Sequence, residues 1–291
     1  MQFILLILIT AVCLSMQDIF KKCYSCVSEH KKMGIYTYYL ISVLVAMVVF
    51  LANYGGDAFF EPKMIPYACG FAVSYFCAVF FTLKAIEVGS LSLTSLIISY
   101  SLLIPSLYGI IFLGEKITAI KIIGYVMLSV SLFCVKPGKV ELNSNRAANK
   151  KMCLYIAIAF VGNGLCSTLQ KVYQLESGGR GKSEFMLISL GIVAAAFFVL
   201  RLMHRKTERV FLPTAENGGW YGAAVGLCNG IVNWLMMVMA SKPASIVYPS
   251  VSAGAIVLTL IASKVFFKER HTRIQDFSFV IGVFSIIFLN I

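Results

Sequence analysis

About ten apolar runs, each near twenty residues long and parted by short polar turns, fill almost the whole chain. A helix needs roughly 20 mostly apolar residues to cross a bilayer. In lipid, a chain can satisfy its backbone N–H and C=O groups only by internal pairing, so runs of this length read as membrane-spanning helices. Their expected positions are 2–20, 34–53, 64–83, 91–113, 117–135, 152–170, 185–202, 219–240, 244–267 and 274–291. Charged residues are only 13% of the 291 positions, which leaves no stretch for a sizeable soluble domain. The first run has no basic region ahead of it and no small-residue cleavage site behind it, so it reads as a retained helix, not a signal peptide.

The chain is written twice. Sliding it by 154 positions brings Phe112 over Phe266, Glu115 over Glu269, Thr118 over Thr272, Ile120 over Ile274, Val126 over Val280 and Ser131 over Ser285 without a gap. The register reaches upstream to Tyr67 over Tyr221. Residues 38–42 (YYLIS) return as 185–189 (FMLIS), and Lys22 and Tyr24 return as Lys171 and Tyr173. The expected fold is therefore all-α: ten transmembrane helices as two five-helix repeats, 1–135 and 152–291, joined by the polar linker 136–151. Five is odd, so the second repeat enters the membrane inverted. Lysine and arginine agree, being dense in the turns after the first, fifth, seventh and ninth runs and sparse in those between. The positive-inside rule makes the dense turns cytoplasmic and places both termini outside.

The same distribution accounts for the net charge of +12: no basic domain gathers the cations, so nucleic acid is not an expected partner. Nine cysteines lie scattered, mostly in apolar runs, as small hydrophobes. Cys23 and Cys26 make a lone CxxC, read as an inert interfacial pair. His30, His204 and His271 sit in separate basic turns, so no metal site is expected, and no cofactor is implied. A membrane-embedded enzyme would need an acid, histidine or metal constellation within the runs, where the acidic candidate is Asp18. No GxxxxGK(S/T) loop is present to use ATP.

Polar side chains at mid-membrane must find a protein partner or a wet cavity, which makes them binding candidates. Asn229 and Asn233 stand four apart on one helix face with Trp234 adjacent, and their repeat counterparts are Tyr75 and Val79, with Ser74 beside. Amides and aromatic walls suit a zwitterionic or polar solute. Tyr100, Tyr248 and Asn163 complete the candidates, Asn163 competing with a reading in which Gly162, Gly164, Ser167 and Thr168 serve close helix packing. Pro105 and Pro249 interrupt corresponding helices and are candidate gates. Asp18 is read either as a proton-coupling group or as the partner of Lys21 or Lys22. Glu115 and Glu269 precede helices and are read as caps of their N-terminal ends.

The segment IFLGEKITAIKIIGYVMLSVSLF (111–133) and its looser copy VFFKERHTRIQDFSFVIGVFSIIF (265–288) resemble the half-closing motif of the drug/metabolite transporter superfamily, in its ten-helix EamA-like branch. The second copy has Lys268 before its glutamate where the first has Gly114, and Ser278 where Gly124 stands; 13–17 lacks the tryptophan–glycine pair frequent in relatives. The resemblance implies a secondary permease for small organic solutes such as amino acids or related metabolites. It would work by alternating access around a central cavity, in a bacterial inner membrane, with export as the preferred direction. A proton or counter-solute would be the coupling partner, the lipid bilayer the surroundings, and a monomer would suffice. A non-transporting scaffold or receptor is the alternative, ahead of an enzyme.

Overall fold

The computed structural model describes residues 2–28, 30–55, 59–88, 91–115, 118–134, 146–207, 209–268 and 273–290. All regular secondary structure among them is helical: α1 (Gln2–Ser25), α2 (Ile35–Ala52), α3 (Met64–Val88), α4 (Leu91–Ser99), α5 (Leu103–Phe112), α6 (Ala119–Cys134), α7 (Arg146–Glu176), α8 (Lys182–Met203), α9 (Gly219–Val238), α10 (Ala244–Phe266) and α11 (Arg273–Asn290). Seven of these, α1, α2, α3, α7, α8, α9 and α10, are long and apolar enough to cross a membrane.

Of the remaining three expected spans, one is broken, one is shorter and one, α11, is as long as α2. The run expected at 91–113 is two helices around a 3₁₀ turn, Tyr100–Leu102. Pro105 has no N–H to return to the carbonyl of Ser101 four residues back, so the backbone tightens there. Pro249 does not do the same. It stands in the second turn of α10, which runs on unbroken, so of the two candidate proline gates only Pro105 adjoins an irregular segment. α6 has 16 residues and α11 has 18.

Helices from the two ends of the chain interlock. α3 packs along α7 and touches α8, while α9 packs along α1 and α2; α1 also packs on α10, and α7 on α4 and α5. α2 also packs against α8, α6 against α11, and α10 against α4 and α5. Aromatic stacking repeats too: Tyr24 lies on Tyr38 with centroids 3.9 Å apart, and Tyr173 on Phe185 at 4.4 Å. The outward sides are apolar, with Ile122 and Val126 of α6 and Phe277 and Val280 of α11 at least half exposed or close to it, as hydrocarbon contact permits.

A polar cavity between the interlocked helices

Polar side chains converge in the middle of the bundle, where a cavity of about 100 Å³ opens between α1, α3, α4, α7, α9 and α10. On its wall, two residues that the 154-position register aligns meet. The Tyr75 hydroxyl of α3 donates to Asn229 Oδ1 of α9 at 2.8 Å, across 154 positions of sequence. Asn233, one helical turn on, donates its amide to Asn229 Oδ1 at 2.8 Å and to the Asn229 carbonyl at 2.9 Å. Asn163 lines the opposite wall and donates to Ser101 Oγ at 2.7 Å, in the 3₁₀ turn. That bond links a cavity amide to the 3₁₀ turn beside Pro105.

The structure brings together Asn229, Asn233, Tyr75, Asn163 and Asp18 of the sequence candidates. Tyr248 stands one contact behind the wall, its hydroxyl donating 3.0 Å to the carbonyl of Ser167, which lines the cavity. Three candidates lie elsewhere. Trp234 packs partly buried against apolar clusters on the other faces of α9. Tyr100 is fully buried and shares a hydrogen with Ser131 Oγ at 2.6 Å, joining the 3₁₀ turn to α6. Ser74 is buried where α3 meets α7, its carbonyl against Gly162. Adjacency in sequence misled for Trp234 and Ser74, since neighbours on a helix are turned about 100° apart and face different surroundings.

Asp18 is ion-paired, as one of its two readings held, with Lys21 Nζ at 3.2 Å from Oδ1. The pair lines the cavity, and Gln17 stands beside it. Sequence reasoning did not place Gln17, Lys21 or Gln170 on a cavity, and named Lys21 only as a partner for Asp18. A signal for two of them existed. The register that places Lys171 over Lys22 also places Gln170 over Lys21, and both residues line the cavity. Gln170 donates from Nε2 to the Asn233 carbonyl at 2.9 Å, tying α7 to α9.

Charged groups outside the cavity lining tie the helices together toward its two ends. At one end Glu115, in the turn after α5, accepts from the backbone N–H of Ala244 at 2.7 Å and of Ser245 at 2.8 Å, capping α10. Lys171 of α7 donates to the carbonyls of Ala240 and Lys242 just before α10. Burial pushes the Glu115 carboxyl up, but the N–H groups of Ser245 and Ala244 and the Lys171 ammonium outweigh it, leaving the group below its ordinary range. The expected cap is thus real, but on a different helix from the one that follows Glu115; Glu269 lies outside the described residues. At the other end Glu87 of α3 pairs with Lys32 at 2.7 Å and with Lys84 at 3.1 Å. Cys23 and Cys26 are free thiols, and no cluster of metal ligands occurs among the described residues.

A bundle of helices with membrane-crossing length and lipid-compatible outer faces, enclosing amides and one ion pair, defines an integral multi-pass membrane protein with a polar cavity at its centre. Residues 1–136 match the EamA-like transporter family, and that match bears out the resemblance carried by the 111–133 motif. A protein of Haemophilus influenzae (strain Rd), described as uncharacterized, is 24% identical over 213 residues, covering 70% of this chain and 67% of that protein. A solved crystal structure superposes with a TM-score of 0.69 over 99% of this chain and 96% of its own, at 14% identity, and so shares the fold.

Proposed function

We propose that the protein is a secondary transporter of small polar organic solutes, amino acids or related metabolites among them, and that the cavity around Tyr75 and Asn229 is where the solute sits. The observation that carries this reading is the meeting of those two repeat counterparts inside a polar cavity, in a chain whose first 136 residues match a transporter family. Ten helices in two inverted repeats account for the packing, because an internal two-fold requires equivalent helices to pair with each other, as α2 does with α8 and α6 with α11. The packing also suggests which bodies move. α1, α2, α9 and α10 make one bundle and α3, α4, α5, α7 and α8 the other, so alternating access is a rocking of two mixed bundles, with α6 and α11 as supports.

Asp18 is the group through which a proton couples: its carboxylate is available in turn to a proton and to the cationic part of a solute. The dense Lys and Arg turns support an orientation with both termini outside, and two repeats within one chain support a monomer as the working unit.

Asn233→Ala tests the placement. Purified protein in detergent is expected to gain about 2.7 kcal/mol of stability from a true solute present at a hundred times its dissociation constant. A panel of amino acids, nucleotide-sugars and cationic drugs, read as melting temperature, should contain a compound that stabilises the wild type and barely shifts Asn233→Ala. An equal shift in the variant removes Asn233 from the site and leaves the transporter reading standing. Failure of every compound to bind or to move across proteoliposomes counts against that reading itself.

A further inference from the structure

Lys21 is the one lysine or arginine among the described residues that line the cavity. It stands on α1 with Gln17 and Asp18, within one turn, so the three present their ends to the same space. The side chain is 7% exposed. An ammonium has three N–H donors. Among the described residues Lys21 Nζ has one partner, Asp18 Oδ1, at 3.2 Å, which is long for a charge-assisted bond. Asp18 is more open, at 20%, and lines the same cavity, whose other polar side chains include the neutral amides of Asn163, Gln170, Asn229 and Asn233. A cation taken from water and given one loose contact is under-satisfied, and whatever fills the cavity supplies the rest.

We propose that Lys21 is the receptor for an acidic group on the transported solute, and that Asp18 is its resident stand-in, released when the solute arrives. This rests on the transporter reading above and goes further by fixing the solute's chemistry. The empty pair is neutral. A solute bearing only an acidic group would leave Asp18 as an unpaired charge in a partly dry site. A solute bearing an ammonium next to its acidic group gives both residues a new partner and keeps the cluster neutral. The cavity therefore selects a small zwitterion: the acidic group takes the free donors of Lys21, the ammonium takes Asp18, and the amides of Asn229, Asn233 and Gln170 receive the uncharged remainder. The ammonium and a coupling proton then use Asp18 by turns.

The test uses the full-length protein in detergent and in proteoliposomes. The probes are the standard amino acids, their carboxamides, which lack the acidic group, and their N-acetyl derivatives, which lack the ammonium. An amino acid is expected to bind the wild type, with its carboxamide and N-acetyl forms each weaker on the order of a hundredfold, the scale on which losing one partner of a desolvated charge pair is felt. Lys21→Gln should lose the same factor for the zwitterion and nothing further for the carboxamide, since the two changes remove one interaction. Lys21→Arg should restore part of the affinity. Because a single replacement strands a charge, the double variant Asp18→Asn with Lys21→Gln provides a folded control. It should keep its melting temperature and lose zwitterion binding. Zwitterion affinity unchanged in Lys21→Gln, or a carboxamide bound as well as its parent acid, overturns the assignment. So does selective transport of a neutral or cationic solute, which would leave the transporter reading intact. If no solute of any class binds or moves, both fall together.

Discussion

Glu115→Ala is expected to unlatch one end of the cavity. The carboxylate leaves the turn after α5 and closes on the first two backbone N–H groups of α10, so it joins the bundle of α3 and α7 to that of α1 and α9. A lost N-terminal cap costs about 0.5–2 kcal/mol. Lys171 reinforces the latch from α7 by holding the carbonyls of Ala240 and Lys242. Cys166, 6% exposed and on the cavity wall, offers a native reporter. In a background with the other cysteines replaced, a membrane-impermeant methanethiosulfonate applied from the α9–α10 side should label Cys166 roughly tenfold faster in Glu115→Ala, the shift that about 1.4 kcal/mol makes in a closed-to-open ratio. Unchanged labelling from that side would show that Glu115 only caps a helix. Lys32→Gln is the control, because it breaks the ion pair with Glu87 at the opposite end and should leave labelling from the α9–α10 side as it was.

The latch has a pH window with a definite sign. Glu115 sits below its ordinary value of 4.5, with Lys171, Tyr125 and Tyr248 as the titratable neighbours that feel it. A carboxyl with a depressed folded value contributes stability above its unfolded value and loses it as pH falls through the folded one. The cap therefore holds throughout the neutral range and weakens only below about pH 4.5. The difference in melting temperature between wild type and Glu115→Ala should be constant from pH 7 to about 5 and shrink further down, a trend that thermal denaturation across that range would check directly.

The sequence made the bundle legible because lipid forbids most alternatives: a long apolar run has to be a helix, and its length follows from the bilayer. Asn229 and Asn233 were visible for the same reason, as amides at mid-membrane with few explanations open to them. Lys21 was not. Standing beside Lys22 and a cluster of basic residues, it read as part of a cytoplasmic turn, whereas α1 continues to Ser25 and carries it onto the cavity wall. Helix ends are what a hydropathy pattern locates least well, since a lysine in the last turns belongs to the water or to the interior according to neighbours that are distant in sequence. Glu115 shows the same limit from the other side: its chemistry as a cap was evident, but its partner lies 129 positions away. Tyr100 looked like a cavity residue among the hydroxyls of its helix, and only the 3₁₀ turn rotates it toward Ser131.

Gly162→Val should be among the most damaging single changes in the apolar part of the protein. α3 and α7 lie side by side, and at Gly162 the backbone of α3 comes close to α7. A β-carbon there would meet the carbonyl oxygen of Ser74 at 2.8 Å and the backbone nitrogen of Ala78 at 2.9 Å. Neither atom can swing aside as a side chain would, so the helices must separate. Overfilling a packed core costs typically 1–3 kcal/mol, and a backbone obstacle puts this site at or above the upper figure. Separation also reaches the cavity, because Asn163 is the next residue on α7 and Tyr75 the next after Ser74 on α3. Valine at Gly162 should therefore lower the melting temperature and abolish solute stabilisation together, while Gly191→Val, on α8 with nothing within 4 Å of the added carbon, should leave both close to wild type. Gly226, whose β-carbon would collide with the Ser42 backbone where α9 crosses α2, should behave like Gly162 and not like Gly191. If Gly162→Val melts with the wild type, the close approach of α3 and α7 is not what holds Asn163 and Tyr75 in one cavity.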